Sequence, residues 1–134
     1  MVASRIIDLW KDRFEVVSSD EKTFDMTDSE AIRRYFDGNT FDAVINFAAF
    51  TNVDAAQSQQ GDEHGLVWKL NVLGPKYLGE VCKNKNIFFV HISTDFVFPG
   101  NEDFPGPYSE DAKIPEIQKG IGWYGWSKNR AERE

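Results

Sequence analysis

Sulfur and imidazole are scarce in this sequence: its 134 residues include one Cys, two Met and two His. The single thiol, Cys82, has no partner for an internal disulfide, and no Cys/His ligand spacing suggests a zinc site. Basic charge is also in deficit. Fifteen Lys and Arg face 22 Asp and Glu, a net charge of −7, so the chain repels phosphate backbones and anionic lipid. Neither nucleic acid nor a membrane is therefore expected as a partner. No apolar run approaches the roughly 20 residues of a membrane span, and no basic-then-apolar signal segment opens the chain. The default setting is a reducing cytoplasm, with Cys82 as a small buried hydrophobe. What is present suits a folded domain: 41% hydrophobic and 14% aromatic residues are enough for a core, in a length typical of one domain.

Periodicity predicts alternating helices and strands. Val2, Ile6, Leu9 and Trp10 form one helical stripe. Phe14 to Ser18 reads as a short strand. A helix follows from about Asp28, capped by Thr27 or Asp28, with Ile32, Tyr35 and Phe36 inward and Asp37-Gly38-Asn39 as its stop. Ala43 to Ala48 and Ile87 to Ile92 are continuous apolar runs of strand length, as in a parallel sheet buried on both faces. Between them Leu66, Leu70, Leu73, Tyr77 and Val81 recur at helical spacing, and Gly74-Pro75 is expected to bend that helix, since an interior Pro costs roughly 3 kcal/mol. A loop rich in Pro, Gly and acids fills about 96 to 121, and a last helix starts at Gly122. This order predicts a three-layer α/β/α fold on a doubly wound parallel sheet. Ligands in such sheets sit at the carboxyl ends of the strands, which directs attention to Ser18–Asp20, Asn46–Asn52 and Ser93–Asp95.

Three local signals carry chemistry. In Tyr124-Gly125-Trp126-Ser127-Lys128, Tyr and Lys four apart share a helix face. An ammonium beside a phenol stabilises phenolate and brings Tyr toward use as a general acid/base; a surface aromatic beside a solvated Lys is the plain alternative. Ser93-Thr94-Asp95 follows a strand, where hydroxyls can bond a substrate carbonyl or merely cap a turn. Asn46-Phe47-Ala48-Ala49 offers small residues that admit a flat ligand, or simple close contact. Asp20 follows the expected strand at Phe14. There a carboxylate accepts both ribose hydroxyls of NAD and repels the 2′-phosphate of NADP, or serves as an exposed turn acid.

In this order the motifs resemble the extended short-chain dehydrogenase/reductase superfamily, a Rossmann-like fold, and within it the dTDP-4-dehydrorhamnose reductases. The matching stretches are Phe24 to Asp28, Val44 to Asp54, Asn71 to Gly74, His91 to Phe98, Pro107 to Asp111 and the closing YGWSK segment with Ala131-Glu132. The resemblance implies an NAD- or NADP-dependent reductase of a nucleotide-linked 4-keto sugar. It makes Tyr124 the proton donor, and Lys128 its activator and ribose ligand. Thr94 is implied to bond the reacting carbonyl, with Ser93 beside it, and Asp95 to orient the sugar. Phe47, Ala48 and Ala49 become the cofactor shelf, Asp25 and Met26 lie against the adenine, and Asn71 stands beneath the Tyr. Epimerase or dehydratase chemistry and a non-catalytic nucleotide-binding subunit are the rival implications on the same scaffold. Against the family pattern, the stretch Glu116 to Trp123 is long and aromatic, so Trp123 and Trp126 either stack on a ligand or pack internally. A homodimer of the full-length protein is the expected assembly.

The family's Gly-rich phosphate loop and first strand are not in the sequence. Relatives read Gly-x-x-Gly-Met-Val-Gly-Ser-Arg at that junction, and Met1-Val2-Ala3-Ser4-Arg5 matches its second half. Residues 1–134 are thus expected to be a partial NAD(P)-binding Rossmann domain, with the C-terminal substrate domain absent and Met1 internal to a longer reading frame. The first strand is expected to be central, between the strands at Phe14 and Ile87, so its loss should bare two edges and leave the chain unstable or inactive alone. In-frame DNA upstream is predicted to encode an apolar strand and Gly-x-x-Gly; sequencing that meets an early stop codon contradicts this.

Overall fold

The computed structural model describes residues 2–134, and Met1, with the reading placed on it, lies outside them. The chain runs α1 (Val2–Trp10), α2 (Ser29–Asp37), β1 (Ala43–Asn46), α3 (Val53–Gln57), α4 (Leu66–Trp68), a π-helical turn (Lys69–Leu73), α5 (Gly74–Lys85), β2 (Phe88–His91), a 3₁₀ turn (Asp95–Val97) and α6 (Trp123–Ala131). The class is α/β, as the alternation predicted. Strands β1 and β2 pair in parallel, with Ala43 opposite Phe88 and Asn46 opposite His91.

Local chemistry explains most of these boundaries. Asp28 caps α2, its carboxylate accepting from the Glu30 and Ala31 amides at 2.9 and 3.2 Å. The same helix stops at Gly38, where the Asn39 amide donates to the Tyr35 carbonyl at 2.7 Å. Apolar residues of α2 and α5 then meet over one face of the sheet. Ile32, Phe36, Leu78, Val81 and Cys82 are buried there, with Val44 and Phe89 against them. A second cluster joins α3, α4, the π turn and α6 through Ala56, Val67, Trp68, Val72 and Trp123. The Trp68 and Trp123 rings stack 5.2 Å apart, so Trp123 serves the core.

Gly74-Pro75 does not break the helical rod. The widened turn immediately before it lets the Gly74 amide reach back to the Lys69 carbonyl, a register in which the missing Pro75 donor costs less. Gly74 also allows close approach: a Cβ there would stand 2.6 Å from the Met26 methyl.

One expectation needs correction. Phe14 to Ser18 forms no strand among the described residues and is exposed throughout; a strand needs a ladder partner, and β1 and β2 are paired with each other. The strand at Ile87 lies beside the one at Ala43. The helix predicted at Val2 to Trp10 forms, and much of its apolar stripe is uncovered, with Val2 68% and Leu9 57% exposed.

Gly125 in α6 faces the Phe96 carbonyl so closely that any Cβ would collide with backbone. Gly125→Ala should therefore lose about 1–3 kcal/mol of stability, as overpacking does, and Gly74→Ala less, because its nearest atom is the end of the unbranched Met26 side chain rather than backbone. The midpoint of urea unfolding at unchanged slope reads both.

Candidate active site

The parallel register delivers two candidate stretches side by side. Asn46 and His91 are the last ladder pair, and the Ile92 amide donates to the Asn46 carbonyl at 3.1 Å. Phe47–Ala49 and Ser93–Asp95 therefore leave neighbouring strands at their carboxyl ends. Helix α6 closes on this edge. Its Phe96 contact is an edge-on ring packing with Tyr124 at 5.7 Å, which places Tyr124 beside the turn that follows Thr94.

Lys128 is the anchor. Only 2% exposed, it extends its amine to the Ile92 carbonyl at 2.6 Å and lies 2.9 Å from His91 Nε2. Burial lowers its pKa to about 8, against the opposing pull of Glu132. His91 sits lower still, at about 4, chiefly through burial and then through Lys128. On its far side His91 Nδ1 meets the Asn46 amide nitrogen at 3.1 Å, and Asn46 Oδ1 accepts from the Ala48 amide at 2.9 Å. Burial on a helix with little room for an unpaired charge thus makes Lys128 a perturbed amine rather than a solvated one.

Asn71 holds the same region from beneath. It is fully buried in the π turn, accepts from the Phe50 amide at 2.7 Å, and donates to the Phe50 carbonyl at 3.2 Å and to Ser127 Oγ at 2.9 Å. Ser127 in turn donates to the Tyr124 carbonyl at 2.7 Å. The loop after β1 and the Tyr/Lys helix are thereby tied to one side chain.

The other candidates occupy varied places. Thr94 Oγ1 donates to Asp95 at 3.2 Å and accepts from the Phe96 amide at 3.3 Å, so it also caps the 3₁₀ turn. Ser93 donates to Glu132, the residue that ends α6. Phe47 and Ala49 are half-buried and Ala48 is exposed. Asp20 turns its carboxylate on its own loop, accepting from the Lys22 amide at 3.0 Å and the Thr23 amide at 3.2 Å. Asp25 does likewise with the Thr27 amide and hydroxyl at 2.8 Å, which hold its carboxyl below the usual range. Met26 is in the core, its methyl against Gly74. Sequence reasoning singled out neither His91 nor Glu132 for the site. The available signal was a His in an otherwise apolar strand, two residues before the Ser-Thr pair.

All 134 residues match the family model described as the RmlD substrate binding domain. The probable low-salt glycan biosynthesis reductase Agl14 of Haloferax volcanii is 36% identical over 121 residues, 85% of this chain and 37% of that protein. The dTDP-4-dehydrorhamnose reductase structure from Clostridium acetobutylicum superposes with a TM-score of 0.84 at 30% identity, over 97% of this chain and 43% of its own. The Bacillus anthracis reductase of that name, in complex with NADP, gives 0.77 at 27% identity, over 92% and 40%. The chain thus spans less than half the length of these relatives.

The two depressed pKa values give stability a defined pH dependence. An unfolded His titrates near 6.5 and folded His91 near 4. Between these values the unfolded state binds the extra proton, so stability falls as pH drops from about 6.5 to 4. By the same sign, Lys128 makes stability rise from pH 8 to 10.5. Urea midpoints measured across pH should show both windows, and His91→Gln should flatten the lower one.

Proposed function

Because the chain belongs to the RmlD substrate binding domain family, we propose that the protein carrying it is an NAD(P)-dependent reductase of a nucleotide-linked 4-keto sugar, of the dTDP-4-dehydrorhamnose reductase kind. The seating of Lys128 carries this reading: from the Tyr124 helix it reaches the carboxyl end of β2, beside the Ser93-Thr94 turn. The NADP held by the Bacillus anthracis relative supports a nicotinamide cofactor, as does the fit of the donor set. Small exposed backbone after β1 and a buried cation-forming amine lie at adjacent strand ends, where a flat ring and its ribose would need them.

A bound nicotinamide supplies the hydride that reduces the sugar C4. The chain's residues do the rest. Tyr124 gives a proton to the C4 oxygen as negative charge builds there, and the Lys128 ammonium makes that proton easier to lose and holds the ribose. The Thr94 hydroxyl hydrogen-bonds the reacting carbonyl, with Ser93 beside it and Asp95 orienting the sugar hydroxyls. Phe47, Ala48 and Ala49 form the shelf. Asp25 is left facing the adenine edge with the Met26 backbone. Asp20 is spent on its own turn, which favours neither NAD nor NADP. Residues 1–134 act as part of the nicotinamide-binding domain, in the cytoplasm, and the whole protein as a homodimer.

Nicotinamide absorbance, followed with a dTDP-linked 4-keto-6-deoxy sugar, tests the reading in the protein that carries this chain. Tyr124→Phe should lower kcat by about 10²–10⁴-fold, the usual contribution of a positioned proton donor, with KM for the sugar little changed. Cofactor binding without turnover in the unaltered protein would favour a regulatory nucleotide-binding subunit instead.

A further inference from the structure

The polarity of the hydrogen bonds around Lys128 is over-determined, and it points to a proton-linked switch. A backbone N–H can only donate, so the Ala48 amide at 2.9 Å identifies the Asn46 atom facing it as the oxygen. The other end of the Asn46 amide, 3.1 Å from His91 Nδ1, is then the NH₂ group and donates. His91 Nδ1 is therefore an acceptor, and the proton of the neutral ring is on Nε2. That N–H is aimed at Lys128 Nζ, 2.9 Å away. An ammonium has three donors and no lone pair, so the arrangement closes only when Lys128 is an amine, accepting from His91 while donating to the Ile92 carbonyl at 2.6 Å.

We propose that Asn46 and His91 are positioning residues for Lys128, a relay that holds its nitrogen as an uncharged amine until the relay reverses. In the reversed state the proton on Nε2 has moved to Nζ and one proton from solvent has entered at Nδ1, leaving an ammonium and a neutral ring. The imidazole Nδ1–H now needs an acceptor. Asn46 supplies one only by turning its amide over, which puts an NH₂ group against the Ala48 N–H and breaks that bond. Charging Lys128 is thus linked to releasing a backbone donor in the loop after β1. An acceptor settling on that loop and taking the Ala48 N–H would favour the ammonium. This consequence for catalysis rests on the reductase reading, in which Phe47–Ala49 is the cofactor shelf; the relay itself does not.

The surroundings leave the switch to these groups. His91 lines a cleft of about 530 Å³ with Lys76, Lys83, Glu132 and Glu134 at its walls. From α5 come the two lysines, from α6 Lys128, from the residues just after α6 the two glutamates, and from β1 the uncharged Asn46. Of these, Lys76 is paired with Glu134 at 2.6 Å, and Glu132 accepts from Ser93. Burial opposes an imidazolium, so His91 meets the change in charge by changing tautomer.

The test is two-bond ¹H–¹⁵N correlation spectroscopy of the full chain labelled at its histidine imidazoles, with exposed His64 as the second, reference signal. His91 is expected as the Nε2–H tautomer above about pH 8 and the Nδ1–H tautomer below it, with no imidazolium until well below pH 6. Asn46→Asp offers only acceptors. It should lock His91 as Nδ1–H across the range and raise the Lys128 midpoint by roughly one unit. A single unchanging tautomer in the unaltered chain overturns the relay, as does an Nε2–H ring in Asn46→Asp or a His91 that titrates like free imidazole. These outcomes are separate from those for the reductase reading: a fixed tautomer in an enzyme that still depends on Tyr124 removes the relay alone, and a silent Tyr124 variant with a switching tautomer removes the reductase alone.

Discussion

The bond from the Lys128 amine to the Ile92 carbonyl is the contact on which the arrangement of the site depends. It ties a helix from the end of the chain to the carboxyl end of β2, one residue past the ladder. An exposed Lys would gain little from such a bond, because water competes for both partners. At 2% exposure the competition is gone, and the amine must find its partners in the protein. Its pKa, its neighbours and the direction in which Tyr124 is presented all follow from that burial.

Two further constraints keep α6 where this bond requires it. Gly125 lets the helix lie directly on the Phe96 carbonyl, a distance no side chain allows. Asn71 bonds the Phe50 backbone on one side and Ser127 on the other, so the loop after β1 and the helix move as one. The π turn has a structural reason as well. By widening the register before Gly74-Pro75, it carries the rod past a proline that would otherwise bend it, and holds Asn71 fully buried within that turn. Small residues and a helix irregularity thus do for position what the charged residues do for chemistry.

Much of this was legible in the one-dimensional pattern, element by element. The cap at Asp28, the stop at Gly38, the two apolar strands and the shared face of Tyr124 and Lys128 are all local, depending on residues within a turn or two of one another. Phe14 to Ser18 was misread because a strand is a relation between segments, and an apolar run does not name its partner. The burial of Met26 was not legible for a related reason: its neighbour in sequence, Asp25, is exposed, while its neighbour in space is Gly74 on a distant helix. Asp20 kept the character of an acid after an apolar run but spends it on its own turn.

By itself, the sequence determined the α/β alternation, the order of the motifs and the shared face of Tyr124 and Lys128, because spacing along the backbone decides which residues share a face and which follow a strand. Only the tertiary structure decided that β1 lies beside β2, that Asn46 and His91 meet at their ends, and that Lys128 is buried against them. Those residues are separated by tens of positions, and their hydrogen-bond polarity emerges from distances and from the single role open to each backbone amide. The protonation state of a lysine is set by what surrounds it, and the surroundings are assembled from four different stretches of chain.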